Sequence, residues 1–171
     1  LAKMLISLFE NKFDPKLESK RIENIEKIIH DIKEYSKKIS DISEEKVIQR
    51  FFNIIEATIR TNFYQTTNSG ESKDYISFKF DSSKIIDLPA PTPFREIFVF
   101  SNDVEAIHLR GGKVSRGGLR WSDRHEDFRV EVLGLMKAQI TKNSVIVPEG
   151  SKGGFVVKKD ISGLNRAQAT E

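Results

Sequence analysis

Two short stretches of this sequence have the residue types to hold an anion and exchange a proton with it. Arg116-Gly117-Gly118-Leu119-Arg120-Trp121 and Gly150-Ser151-Lys152-Gly153-Gly154 each place a cation directly before a Gly-Gly pair. Glycine has no Cβ, so the backbone at such a pair can pass close to a bound molecule. A carboxylate taken out of water needs matched cations and hydrogen-bond donors, and both stretches supply them. Lys142 adds a third cation between the two. Lys152 is the candidate for acid–base work, because a lysine amine in a glycine-rich, partly dry turn is placed to exchange a proton with its ligand. For any one of these cations a solvated surface charge is the plainer reading. Two cation-Gly-Gly turns flanking one helix–strand unit argue instead for a shared site.

Composition narrows the partners. The 171 residues allow one domain with a real core, or a helical preface and a small α/β domain. A net charge of +3, from 28 basic and 25 acidic residues, is too evenly spread to predict a nucleic-acid partner. The absence of cysteine excludes disulfides and thiolate metal sites, fits a reducing compartment, and leads us to expect a cytoplasmic protein. His30, His108 and His125 lack ligand spacing, so no metal is expected. The apolar run Met4 to Phe9 falls far short of the roughly 20 residues that cross a bilayer, and no membrane partner is expected. The chain opens on Leu1 and closes on Thr170-Glu171, and reads as a piece of a longer protein.

The elements that must position the cations can be read from periodicity. Ile22, Ile25, Ile28, Ile29 and Ile32 share one helical face, with Asp14-Pro15 as a start signal. A second helix is expected from Ser43 or Glu44 to about Asn62, capped by Ser40-Asp41, with Val47, Ile48, Phe51, Ile54, Ile55, Thr58 and Ile59 as its stripe. Tyr75 to Phe80 reads as a strand, and Pro89, Pro91 and Pro93 as a stiff connector. Strands are then expected over 96–101, 104–110, 144–148 and 154–158, with a helix over 125–142 laying Phe128, Val132, Leu135 and Met136 on one sheet face. Trp121 reads as packing, or as a pocket wall. The fold class is α+β or α/β: helices first, a mixed sheet after.

At these residues the sequence resembles the substrate domain of glutamate dehydrogenases. The stretch from about Phe94 to Lys158 is similar to the large bacterial NAD-specific class, through Phe94-Arg95-Glu96-Ile97-Phe98-Val99, His108 to Val114, Trp121-Ser122-Asp123-Arg124 and Glu131 to Gln139. Arg60 to Gln65 looks like the helical region that precedes its catalytic domain. The resemblance implies a helical region over 1–65, a loop, strand and proline-rich connector over 66–93, and an incomplete substrate domain over 94–171. It implies that Lys152 is catalytic, polarising the substrate carbonyl or activating water. Lys142 would contact the α-carboxylate, with Lys137 as the alternative because the spacing to Lys152 is shorter than in the small enzymes. Arg116 stands where smaller members carry a substrate-binding lysine; guanidinium pairs bidentately with carboxylates, and Lys113 is the alternative. Gly117, Gly118 and Gly153 would let the backbone approach the ligand, as would Gly154. The implied reaction is oxidative deamination of L-glutamate to 2-oxoglutarate and ammonia by an enzyme expected to be a homo-oligomer.

NAD would be the cofactor, bound by a domain that follows the substrate domain, as does an aspartate that shares the proton transfer. This sequence has no Gly-x-Gly-x-x-Gly turn, so the chain alone is expected to be inactive. The reading from a different class is a non-catalytic anion-binding or assembly module, using the same glycine turns for a phosphate or carboxylate. A Rossmann segment encoded after Glu171 would favour the dehydrogenase.

Overall fold

A computed structural model describes residues 1–17, 19, 21–142, 148–159 and 163. The chain divides into two compact units, Leu1–Lys73 with Phe78–Thr92, and Asp74–Ser77 with Pro93–Glu171.

The first unit is built on three helices, α1 (Ala2–Phe13), α2 (Arg21–Ser36) and α3 (Ile42–Ala57). Asp41 caps α3 as the sequence predicts, accepting hydrogen bonds from the Ser43 and Glu44 backbone N–H groups. The α2 stripe is only partly used: Ile32 is buried, whereas Ile22 is 75% exposed. Two expectations need correction. Asp14-Pro15 does not start α2 but forms the turn after α1, where the Asp14 carboxylate accepts from the Lys16 N–H. Helix α3 ends at Ala57, not near Asn62. The chain continues as strand β1 (Thr58–Thr61), antiparallel to the Phe78–Phe80 part of β2 (Tyr75–Phe80). The β-branched pair Thr58-Ile59 favours that extended form. The Lys12 ammonium then serves the open helix end, donating to the Ile55 and Glu56 carbonyls at 2.7 Å each. Phe9 gathers Phe13, Phe63, Tyr64 and Phe78 around it, with ring centroids 5.0–6.4 Å away.

The second unit is a mixed sheet covered by one helix. Strands β3 (Arg95–Ser101) and β4 (Val104–Arg110) form a hairpin, whose Ser101 hydroxyl accepts from the Asp103 and Val104 N–H groups. Strand β7 (Glu149–Val157) runs antiparallel along the other edge of β4. Two short strands the sequence reading did not anticipate, β5 (Ser115–Arg116) and β6 (Leu119–Trp121), pair in parallel with successive parts of β7. Helix α4 (Phe128–Lys142) lies where periodicity predicts. Its Phe128, Val132, Leu133 and Met136 form the core with Ile107, Leu109 and Val156, and Leu135 is half-buried. Burying an aliphatic side chain of this size contributes about 1.5–3 kcal/mol. The strand expected over 144–148 falls almost wholly on 143–147, outside the described residues.

The main correction concerns Lys152. The sequence places it on a glycine-rich turn with a strand beginning after it; in the structure it lies in the middle of β7. The glycines serve packing here. A Cβ on Gly154 would sit 2.3 Å from Val132 Cγ2, and one on Gly150 2.7 Å from the Ile140 backbone nitrogen. Only glycine at those positions lets α4 lie this close to the strand.

Candidate active site

Side chains alternate along a strand, so Gly150, Lys152, Gly154 and Val156 share the β7 face that α4 covers. Lys152 pairs across to Leu109, which is fully buried on that face. Flanked by Gly150 and Gly154, the lysine reaches the Gly117-Gly118 segment, its Nζ 3.9 Å from where a Gly118 Cβ would stand. That segment bridges β5 and β6. Arg116 sits opposite Gly150, and Leu119 opposite Gly153.

The two glycines of the bridge face different things. A Cβ on Gly117 would lie 1.6 Å from the Ser151 carbonyl oxygen and 2.7 Å from Gln139 Oε1. Gly117 is therefore spent on close approach to β7 and α4. A Cβ on Gly118 would meet nothing nearer than Lys152 Nζ, at 3.9 Å. Gly118 thus leaves open space beside the lysine amine. Gly153 has both its open side and its N–H committed: a Cβ would strike Leu119, and the N–H donates to the Gly118 carbonyl at 3.0 Å. The Gly153 N–H therefore serves the bridge.

The structure brings together Lys152, Gly117 and Gly118, and puts Arg116 in register next to them with an exposed side chain. Lys142 ends α4 and is exposed, as is Lys137. At 100° per residue, Lys142 falls on the same flank of α4 as Glu131, Leu135 and Gln139, and Lys137 on the far side. Lys113 is exposed; its carbonyl accepts from the Arg110 guanidinium.

Two residues to which the sequence assigns no role, Gln139 and Glu131, belong to this neighbourhood. Gln139 Oε1 is buried without a hydrogen-bond partner beside Gly117, and a buried acceptor left unpaired asks for a donor. Glu131, in the first turn of α4, accepts from Arg120 Nε and from the Ser122 hydroxyl, each at 2.5 Å. Those two bonds, the Ser122 one first, hold its carboxyl below the usual carboxylate range. The readable signal was the interruption of the apolar pattern of α4 by one acid and one amide on a single flank. On the opposite sheet face, burial and then Arg110 push the His108 imidazole down, and Trp121 packs on Phe155 at 5.7 Å.

Residues 31–171 match the family described as bacterial NAD-glutamate dehydrogenase, catalytic domain. The chain belongs to that family. It is 50% identical over 171 residues to the NAD-specific glutamate dehydrogenase of Halomonas elongata, covering 100% of this chain and 10% of the relative. It is 49% identical over 162 residues to that of Pseudomonas aeruginosa, covering 93% of this chain and 10% of the relative. With the Mycobacterium tuberculosis protein of the same name the identity is 50% over 119 residues, 69% of this chain and 7% of the relative. The chain thus spans about one tenth of the length of the first two curated relatives. The matched residues, which include α3, α4 and the strands, are a part of a bacterial glutamate dehydrogenase catalytic domain.

These relatives are named for NAD, and among the described residues no helix opens on a glycine-rich turn. A dinucleotide cradle needs free backbone N–H groups at a glycine-rich helix start. Here Gly117 and Gly153 are closed by packing, and at the start of α4 the Val130 and Glu131 N–H groups donate to the Asp127 carbonyl. Among the described residues no three metal-binding side chains gather, and no helix is long and apolar enough to cross a membrane.

Proposed function

We propose that this chain supplies the dicarboxylate-binding side of an NAD-dependent glutamate dehydrogenase, an enzyme of glutamate catabolism converting L-glutamate to 2-oxoglutarate and ammonia. One observation carries the reading: Lys152 Nζ lies against the open side of Gly118, next to Gly117, which packs on β7 and α4. In this role Lys152 is the acid–base group at carbon 2 of the substrate, and Gly118 leaves room for the ligand beside it. Arg116 pairs with one carboxylate of the substrate and Lys142 with the other; the shared flank with Gln139 supports Lys142 over Lys137. Gly117 and Gly153 contribute by holding the bridge on β7.

The domain plan that goes with this function is a helical region over 1–65, a connector over 66–93 and the beginning of a substrate domain over 94–171. The enzyme carrying it is a cytoplasmic homo-oligomer whose NAD site lies outside this chain. Replacing Lys152 by Ala in that enzyme is expected to lower turnover about 100- to 10,000-fold, the usual cost of losing a positioned acid–base group. An activity within a few-fold of the parent removes Lys152 from the mechanism.

A further inference from the structure

Past the bridge that brings Gly118 to Lys152, the chain is tied to α4 by a single carboxylate. Glu131 has both oxygens engaged, Oε1 by Arg120 Nε and Oε2 by the Ser122 hydroxyl, and its side chain is only 16% exposed. Ser122 is itself 1% exposed; its N–H donates to the Phe155 carbonyl, and its hydroxyl accepts from the Arg124 N–H. Arg120 and Ser122 flank Trp121, and Gly118 immediately precedes this strand. A carboxylate offers an accepting oxygen to each partner and carries the charge that pairs Arg120, whereas an amide has one accepting oxygen, a nitrogen that only donates, and no charge. The same helix carries a second ion pair that makes a natural comparison. Arg129 donates twice to Glu96 of β3, through Nε at 2.9 Å and Nη2 at 2.7 Å. That pair ties α4 to the sheet but touches neither the bridge nor Lys152.

We propose that Glu131 is a positioning residue for substrate binding: by holding Arg120 and Ser122 it sets where the Gly117–Gly118 bridge stands relative to Lys152. This rests on the reading of Lys152 and the bridge as a glutamate site. The carboxylate touches no substrate; it acts through β6. Loss of this hold lets the bridge move, and displacements of about 1 Å at a reacting site cost on the order of 100-fold.

Three variants in the enzyme that carries this chain test the idea: Glu131→Gln, Glu96→Gln and Lys152→Ala. Glu131→Gln is expected to lower kcat/KM for glutamate about 10- to 100-fold, mainly through KM for glutamate, with KM for NAD unchanged. Glu96→Gln is expected to lower the melting temperature at least as much while kcat/KM stays within about twofold. The 171-residue chain offers a readout independent of turnover, because Trp121 is its only tryptophan. Glu131→Gln should change Trp121 emission and its acrylamide quenching; Glu96→Gln should leave both as in the parent. A Glu131→Gln enzyme with parental KM for glutamate, or a loss that Glu96→Gln reproduces equally for glutamate and NAD, overturns the positioning role while Lys152→Ala still abolishes turnover. A Lys152→Ala enzyme that keeps its rate removes the glutamate site itself, and this proposal with it.

Discussion

Gly117 and Gly118 are adjacent and identical in type, yet they carry different predictions. Alanine at 117 drives a methyl group into the Ser151 backbone, at 1.6 Å from its carbonyl oxygen, where no rotamer can yield. Overpacking of this kind costs about 1–3 kcal/mol or more, so Gly117→Ala should show a clear loss of stability in urea denaturation. Alanine at 118 meets only the tip of Lys152 at 3.9 Å. Gly118→Ala should fold with stability within about 0.5 kcal/mol of the parent, while its methyl group narrows the space beside the amine and raises KM for glutamate in the enzyme. Glu131 adds a pH signature. Its carboxyl is held below the ordinary value of 4.5 in the fold, by Ser122 first and then Arg120. A lowered acid stabilises the fold above its unfolded value, and that contribution fades as pH falls through the folded one. The stability gap between the parent and Glu131→Gln should therefore close below about pH 4.5, as followed by urea midpoints across pH. That cations and glycines would matter was legible in their spacing. Which glycine faces a ligand and which faces the chain was not, because that depends on strands distant in sequence.

Helix α4 was readable because its buried residues recur at three- and four-residue steps and because it must cover a sheet. Met136 is fully buried at the centre of that face, and Met136→Ala should cost about 2–5 kcal/mol by calorimetry or urea titration. Helix α3 was read too long, since the stripe continues in sequence through Thr58 and Ile59 while the backbone leaves the helix. Periodicity sees apolar spacing; it does not see that Lys12, far back in α1, closes the helix end. Burial pushes that ammonium down to about 8, with Glu56 opposing the shift and Lys84 adding to it. The unfolded chain keeps the proton to higher pH, so this group makes the fold more stable as pH rises from about 8 toward 10.5. Lys12→Met should lose that rise, measured as the change in urea midpoint between the two ends of the window. Strands β5 and β6 escaped the reading for another reason: two- and three-residue strands have no alternation to detect.

The purified 171-residue chain is expected to bind 2-oxoglutarate weakly and to form no reduced NAD when incubated with glutamate and the cofactor. Binding needs only charge and donors, whereas catalysis needs the reacting partner held in place against the substrate. Turnover that follows the pure chain and disappears in Lys152→Ala would show that the cofactor site was misjudged. The helices, the β3–β4 hairpin, the composition limits and the family were present in the sequence, because helical period, strand alternation and the two Gly-Gly stretches are local properties. The place of Lys152 inside β7, the use of Gly117 and Gly153 for packing, and the engagement of Glu131 with Arg120 and Ser122 were decided only in three dimensions. Each depends on which segments meet across the sheet, and strand pairing is set by long-range contacts that no local pattern encodes.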